Sequence, residues 1–123
     1  MLTDKNSTIA ILGISENTSR YSYLAYKKLL ENQFKNLIGI SPKDISLPDI
    51  ATVKSLGDID TSIHTLTVYV GAQRLDPLIE DILSLNPKRI ILNPGTENKD
   101  LINKAKEKGI EVVENCMLIM LNN

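Results

Sequence analysis

The sequence predicts a Rossmann-like α/β domain with three layers, in which helices cover both faces of a five-stranded parallel sheet. Three observations support this class: short apolar runs recur along the chain, amphipathic segments separate them, and the connections are short. Apolar runs bounded by Gly, Ser, Pro or Asn are typical of strands that are buried on both faces. With 123 residues, the chain has room for one domain, spanning 1–123, and for one core.

The first part of the chain predicts a βαβ unit. The apolar run Thr8–Ile14 is the first expected strand, and Leu37–Ile40 is the second, ended by Ser41 and Pro42. Between them, apolar residues recur at helical spacing: Tyr21, Leu24, Ala25, Leu29 and Leu30. Such crossovers are almost always right-handed. The pattern weakens from residue 43 to residue 60, where we expect a loop with a short helical turn.

The second part of the chain contains three further expected strands: Leu66–Val70, Arg89–Asn93 and Ile110–Val113. A helix is predicted to begin at Asp76-Pro77, because a capping side chain precedes proline at the first helical position. Another helix follows Pro94-Gly95-Thr96 and is expected to end at Gly109. The apolar segment Met117–Leu121 predicts a terminal helix against the sheet.

Composition and charge exclude several classes of protein. The formal net charge is −1, from 14 basic and 15 acidic side chains, which argues against nucleic-acid binding over a broad basic face. Cys116 is the only cysteine and no secretory signal pattern is present, so we expect a cytoplasmic protein. No apolar run approaches the ~20 residues of a membrane span. We expect His64 and Cys116 to be structural residues, although Cys116 follows the fifth strand and could lie near a ligand. Zinc would need more His or Cys ligands.

The loops that follow the strands carry the candidate binding residues. In open parallel sheets, ligands bind beyond the carboxyl ends of the strands. Four stretches should reach that edge: Gly13–Arg20, Ser41–Lys43, Gly71–Arg74 and Asn93–Glu97. The first three each contain a cation, and helix N-termini converge there, which favours an anionic ligand over purely solvated side chains.

The dinucleotide-binding fingerprint is incomplete in this sequence. Of the three glycines in G-x-G-x-x-G, only Gly13 is present. An NAD site also needs a carboxylate near the end of the second strand. Here Ser41-Pro42-Lys43 occupies that place, with Asp44 one residue further. A lysine suits a ribose phosphate better than a free diol, so the pattern disfavours NAD.

Several short motifs together resemble the small stand-alone CoA-binding family, whose domain is similar to the nucleotide-binding domain of the succinyl-CoA synthetase α subunit. The resemblance extends from about Ile9 to Met117 and rests on motifs in a fixed order: Gly13-x-Ser15, Arg20-x-Ser22, Ser41-Pro42-Lys43, Ser55-Leu56, Asn93-Pro94-Gly95, and Asn115-Cys116 after Val113-Glu114. This chain departs from the family pattern at three places. It has Ile14 where Ala is usual, Ser41 where Asn is usual, and Gly71-Ala72 where proline-rich residues are usual. Since Ile14 is bulkier than Ala, it is expected to narrow the approach of a pyrophosphate.

The resemblance implies non-catalytic binding of coenzyme A or an acyl-CoA, a small-molecule nucleotide ligand. With the strand-edge loops, it predicts these binding residues: Gly13, Ile14, Ser15, Arg20, Tyr21, Ser41, Pro42, Lys43, Val70, Gly71, Asn93, Pro94 and Gly95. No catalytic or metal-binding constellation is evident. Two alternatives remain open: an NAD(H)-binding sensor or enzyme, and an interaction protein that kept the fold without the ligand. A homodimer is compatible with the sequence, which does not give the oligomeric state.

Overall fold

The short apolar runs form the strands of one parallel sheet in the computed structural model, which describes residues 4–121. The strands are β1 Ile9–Leu12, β2 Leu37–Ile40, β3 Ala51–Val53, β4 Thr65–Val68, β5 Arg89–Leu92 and β6 Glu111–Glu114. Their order across the sheet is β3-β2-β1-β4-β5-β6, with every neighbouring pair parallel. The chain runs outward from β1 to β3 and then returns to place β4 beside β1. The strand order therefore reverses between β1 and β4, where ligands bind in sheets of this kind.

Helices cover both faces of the sheet. The α-helices are α1 Tyr21–Glu31, α2 Ile79–Leu85, α3 Lys99–Glu107 and α4 Met117–Leu121, and 3-10 turns span Leu56–Asp58 and Ala72–Leu78. On one face, α1 and α4 pack over the strand residues Ile9, Ile11 and Ile91. On the other, α2 and α3 pack over Ala10, Leu66 and Ile90. Alternate strand residues thus supply two apolar cores, so the central strands are buried on both faces and rich in apolar residues.

The Rossmann-like α/β class is confirmed, but the sheet has six strands and not five. The extra strand β3 lies at an edge, with Ile38 beside Ala51 and Ile40 beside Val53. It lies in the segment expected to form a loop with a short helical turn, and that turn, Leu56–Asp58, begins after two intervening residues. Because β3 has three residues and pairs with one strand, it is poorly covered, with Ala51 exposed and Val53 half-buried. Such a strand needs no continuous apolar run, so the sequence carried no strong signal for it.

Several predicted boundaries shift by a few residues. The first strand ends at Leu12, since Gly13 turns away with φ of +93°. The helix expected to begin at Asp76-Pro77 begins at Ile79, after a 3-10 turn that includes both residues. The Asp76 carboxylate accepts a hydrogen bond from Asn98 Nδ2 at 2.9 Å and caps no helix. Gly109 follows α3, as expected. None of the helices found between residues 4 and 121 combines the length and apolar character that membrane crossing requires.

Candidate functional site

A cleft of about 590 Å³ opens at the carboxyl edge of the sheet, beside the point where the strand order reverses. Residues from the loops after five strands line it, together with the first turn of α1. The parallel sheet brings these loops together because all its strands point toward the same edge. The lining includes ten of the thirteen predicted binding residues: Gly13, Ile14, Ser15, Arg20, Tyr21, Ser41, Pro42, Lys43, Val70 and Pro94.

Gly13 sets the course of the loop after β1. Its φ of +93° is costly for residues with a Cβ atom, and an added Cβ would lie 3.2 Å from the backbone carbon of Tyr69. Its N–H donates to the carbonyl of Ile40 at 2.9 Å, and the N–H of Ile14 donates to the same oxygen at 3.2 Å. These contacts hold the loop close to the neighbouring strands, so the backbone forms one wall of the cleft.

Ile14 directs its bulk into the core. The residue is 3% exposed and belongs to the apolar cluster beneath α1. A Cβ built on Gly39 would lie only 2.8 Å from Ile14 Cγ2. The absence of a side chain at position 39 therefore makes room for the isoleucine. The expected narrowing of the ligand approach is correspondingly small, because most of the side chain points away from solvent.

The start of α1 faces the cleft without a side-chain cap. Arg20 occupies the N-cap position in extended conformation, and no side chain accepts a hydrogen bond from the first turn. The preceding turn is held locally: Asn17 N–H donates to Ser15 Oγ, and Ser19 N–H to Asn17 Oδ1, both at 3.0 Å. Uncapped N–H groups and the helix dipole make such a terminus suited to an anion.

Positive charge predominates along the cleft. The lining residues include the cations Arg20, Lys43, Lys54 and Arg74 and a single carboxylate, Asp81. All five side chains belong to exposed residues. The surplus of cations in a chain of net charge −1 concentrates a positive potential at this edge.

Sequence reasoning missed Lys54, which directly follows the edge strand β3. Its Nζ lies 2.8 Å from Asp44 Oδ1. The signal was a cation directly after the short segment Ala51–Val53. It would have been noticed had that segment been recognised as a strand, since cations after the other strands were singled out.

Three predicted binding residues do not line the cleft: Gly71, Asn93 and Gly95. Asn93 is 4% exposed. Its Nδ2 donates to Thr67 Oγ1 at 2.8 Å and to the Val68 carbonyl at 2.9 Å, and its Oδ1 accepts from Met117 N–H at 2.8 Å. The side chain thus joins β4 to the start of α4. Gly95 has φ of +91°, and its N–H donates to Glu97 Oε1 at 2.9 Å, so this glycine serves a local turn.

Tyr69 lies in the cleft wall between the loops of β1 and β4. Its hydroxyl is buried and has no hydrogen-bond partner within residues 4–121. A tyrosine with the ordinary pKa of about 10 is protonated at neutral pH, and burial raises the pKa of this phenol further.

The remaining chemically reactive side chains lie away from the cleft lining. His64 sits at the opposite edge of the sheet, where its Nδ1 is 2.8 Å from Thr65 Oγ1. Cys116 is half-buried, more exposed than a core residue, and does not line the cleft. The described part of the chain also contains no group of three or more His, Cys, Asp or Glu side chains suited to a metal ion.

Comparisons with known proteins support the fold and identify the family. The family model described as a CoA binding domain matches residues 7–122. A crystal structure of an uncharacterized protein has a TM-score of 0.87 at 35% identity, covering 95% of each chain. The uncharacterized protein YneT of Bacillus subtilis is 23% identical over 112 residues, covering 91% of this chain and 82% of that protein.

A larger enzyme contains a region with the same fold. It is the dinucleotide forming acetyl-coenzyme A synthetase 1 of Ca. Korarchaeum cryptofilum, solved with phosphate and ADP. The TM-score is 0.77 at 20% identity, and the match covers 89% of this chain and 25% of the enzyme. At this identity the likeness concerns the fold alone.

Proposed function

Since this chain belongs to the CoA binding domain family, as its motifs predicted, we propose that it binds coenzyme A or an acyl-CoA in the cleft described above. Coenzyme A carries a diphosphate and a ribose phosphate at one end and an uncharged pantetheine arm at the other. A matching protein site needs donors and cations in one part and apolar walls in another.

The observation that carries this proposal is the excess of positive charge in the cleft. Four cations and one carboxylate line it, next to the uncapped start of α1. We assign the diphosphate to the N–H groups of that helix turn and to Arg20, because helix N-termini bind phosphates through backbone donors and the dipole. The loop Gly13-Ile14-Ser15 allows close approach of the ligand to the backbone at this point.

The neighbouring loop suits the ribose phosphate. Ser41, Pro42 and Lys43 follow β2, the position that contacts the ribose in Rossmann-type sites. Ser41 Oγ accepts a hydrogen bond from Lys43 N–H at 3.2 Å, which orders the backbone that presents the lysine. The apolar wall for the rest of the ligand comes from Val70, Pro94 and the half-buried Ile45.

The arrangement supports binding better than catalysis. Hydroxyl groups line the cleft, but neither the histidine at position 64 nor Cys116 is among the lining residues. An activated nucleophile needs a base within hydrogen-bond reach, and Asp81 is the one carboxylate of the lining. We therefore assign a non-catalytic role, in which the protein holds the ligand by its nucleotide end.

The state of Asp44 favours coenzyme A over NAD. An NAD site uses a carboxylate near the end of the second strand to bind the ribose hydroxyls. Asp44 is the acid nearest that position along the chain, and its carboxylate is paired with Lys54 at 2.8 Å. Lys43, from the same loop, lines the cleft, and a cation at this position suits a ribose phosphate better than a diol.

Isothermal titration calorimetry with coenzyme A, acetyl-CoA, NAD and ATP tests the proposal, and thermal melts provide a second readout. A ligand at a hundredfold excess over its Kd stabilises the native state by about 2.7 kcal/mol. We expect coenzyme A or acetyl-CoA to raise the melting temperature more than NAD or ATP. A melt that NAD raises and millimolar coenzyme A leaves unchanged would refute the assignment. No response to any of the four would favour a protein that kept the fold without the ligand.

A further inference from the structure

A second cleft, of about 290 Å³, adjoins the main cleft where the loops after β2 and β3 meet. We call it the side cleft. The two clefts share Lys43, Ile45 and Lys54, whereas the carboxylates Glu16 and Asp44 line the side cleft and not the main cleft. One ligand could therefore occupy the main cleft and place one of its chemical groups in the side cleft.

Hydrogen bonds fix the backbone of the side cleft. Thr52 Oγ1 donates to the Ile45 carbonyl at 2.9 Å, and Ser41 N–H donates to the Val53 carbonyl at 3.1 Å. The Tyr26 hydroxyl donates to the carbonyl of Pro48 and attaches the end of the loop to α1. The loop after β2 thus has a fixed path, and Lys43 and Lys54 project from neighbouring strand ends.

The ion pair between Lys54 and Asp44 can be broken at little cost in stability, so that Lys54 is able to bind a different anion. The side chains are 64% and 92% exposed, respectively. Water solvates both groups, so an exposed pair of this kind adds little net stability. A ligand anion with more negative charge than the Asp44 carboxylate, and with oxygens better placed for hydrogen bonds, can replace Asp44 as the partner of Lys54. This exchange does not disturb the fold.

The position of the Lys54–Asp44 ion pair in the fold indicates which ligand anion binds Lys54. The end of the second strand contacts the ribose of the nucleotide in this topology, and a cation there accommodates a ribose phosphate. A phosphate monoester has a charge of about −1.5 to −2 at pH 7 and three acceptor oxygens. Lys43 and Lys54 offer two ammonium groups to such a phosphate, whereas a free ribose hydroxyl needs neither.

We propose that Lys54 is a specificity-determining residue that selects ligands with a phosphate monoester on the ribose, and that Asp44 competes with this phosphate for Lys54. The proposal rests on the proposed function and deepens it, because it names the ligand group that is recognised and a residue outside the predicted set.

The test compares coenzyme A with dephospho-CoA, which lacks only the ribose phosphate, by calorimetry on the full chain. The variant is Lys54→Met, and its control is Lys35→Met, an equal loss of charge at an exposed residue before β2. We expect Lys54→Met to raise the Kd of coenzyme A about three- to tenfold, as for loss of a charge-assisted hydrogen bond, and to change that of dephospho-CoA less than about twofold. The control should bind both compounds like the parent.

A second variant, Asp44→Asn, tests the competition. Removing the carboxylate frees Lys54 and removes repulsion of the phosphate, so we expect coenzyme A to bind about two- to fivefold tighter, within the range of exposed charge pairs. Dephospho-CoA should bind as before. Weaker binding of coenzyme A to Asp44→Asn would refute the competition.

The outcomes separate the two proposals. If the parent binds both compounds and Lys54→Met keeps the parental ratio of their affinities, the selective role of Lys54 is wrong while the proposed function stands. A parent chain that binds neither compound overturns both proposals. Thermal melts without ligand confirm that the variants are folded, and we expect those melts to match the parent because both side chains are exposed.

Discussion

Two loops at the same edge of the sheet, after β5 and after β2, are built for different purposes. After β5, Asn93 is buried and joins β4 to α4 through three hydrogen bonds. After β2, Pro42, Lys43 and Asp44 are exposed, and their side chains face solvent and the clefts. The comparison shows that a position at the ligand edge does not make a residue a ligand contact. Burial and hydrogen-bond partners within the protein distinguish Asn93 from the exposed residues after β2.

Removing the Asn93 side chain should have the largest effect on stability. Asn93→Ala leaves the Thr67 hydroxyl and the Met117 N–H without their partner in a buried place, and each such loss costs about 1–3 kcal/mol. We expect the free energy of unfolding to fall by about 3 kcal/mol in urea titrations. The control is Asn36→Ala, which removes one exposed hydrogen bond to the Asn6 carbonyl and should change it by about 0.5 kcal/mol or less. An Asn93 variant as stable as its control would show that the loop after β5 has no structural role.

Gly13→Ala should lower both stability and affinity, since this glycine serves the fold and the cleft wall together. A side chain with φ of +93° and contacts of 3.2–3.3 Å to Tyr69 costs about 1–3 kcal/mol in unfolding free energy. Displacement of the loop should also raise the Kd of coenzyme A, as measured by calorimetry. Gly71→Ala is the matched control, because nothing lies within 4 Å of the added Cβ. If the two variants had the same unfolding free energy and the same affinity for coenzyme A, the structural role assigned to Gly13 in the loop after β1 would be wrong.

The loop after β2 and the start of α1 should show the opposite balance, with affinity affected and stability retained. We expect Arg20→Ala and Lys43→Ala each to raise the Kd of coenzyme A about 10- to 150-fold, since a hydrogen bond to a charged group contributes about 1.5–3 kcal/mol. Their unfolding free energies should stay within about 0.5 kcal/mol of the parent, as for other exposed substitutions. Lys35→Ala should change neither quantity. A variant at position 20 or 43 that binds coenzyme A like the parent loses its assignment as a phosphate contact.

The smallest effect is expected at Tyr69, which directly follows β4 and lines the main cleft. Its pKa is raised by burial, so folding favours the protonated phenol. This contribution is complete below pH 10, the ordinary tyrosine value, and is lost as the pH rises toward the folded-state pKa. Melting temperatures between pH 9 and 11.5 should therefore fall more steeply for the parent than for Tyr69→Phe. At pH 7 the free energy of unfolding of the variant should differ from that of the parent by about 1 kcal/mol or less, because the hydroxyl it removes has no hydrogen-bond partner among residues 4–121. Parallel curves would show that the phenol ionises freely in the folded protein.

The sequence was a good guide to the central strands and a weaker guide to the edges. Apolar runs such as Leu37–Ile40 are required by burial on two faces, and the strands predicted from such runs lie within two residues of the predicted bounds. The edge strand Ala51–Val53 is covered less, carries no such run, and was missed together with Lys54.

The candidate site could be placed because parallel strands deliver their loops to one edge. Its individual members could not all be identified in this way. Whether Asn93 faces the cleft or the interior depends on the partners Thr67 and Met117, which are 26 and 24 residues away in the chain. Local patterns do not record such long-range hydrogen bonds.

The contact between Ile14 and Gly39 restricts how this protein can change over evolutionary time. Because a Cβ at position 39 would lie 2.8 Å from Ile14 Cγ2, a side chain at position 39 conflicts with isoleucine at position 14. A lineage that acquires alanine at position 39 must first, or at the same time, accept a smaller residue at position 14. The order of substitutions then matters, and the two positions should covary among descendants. Substitutions in the loop after β1, which lines the cleft, are therefore linked to substitutions in β2 at position 39, a position that does not line the cleft.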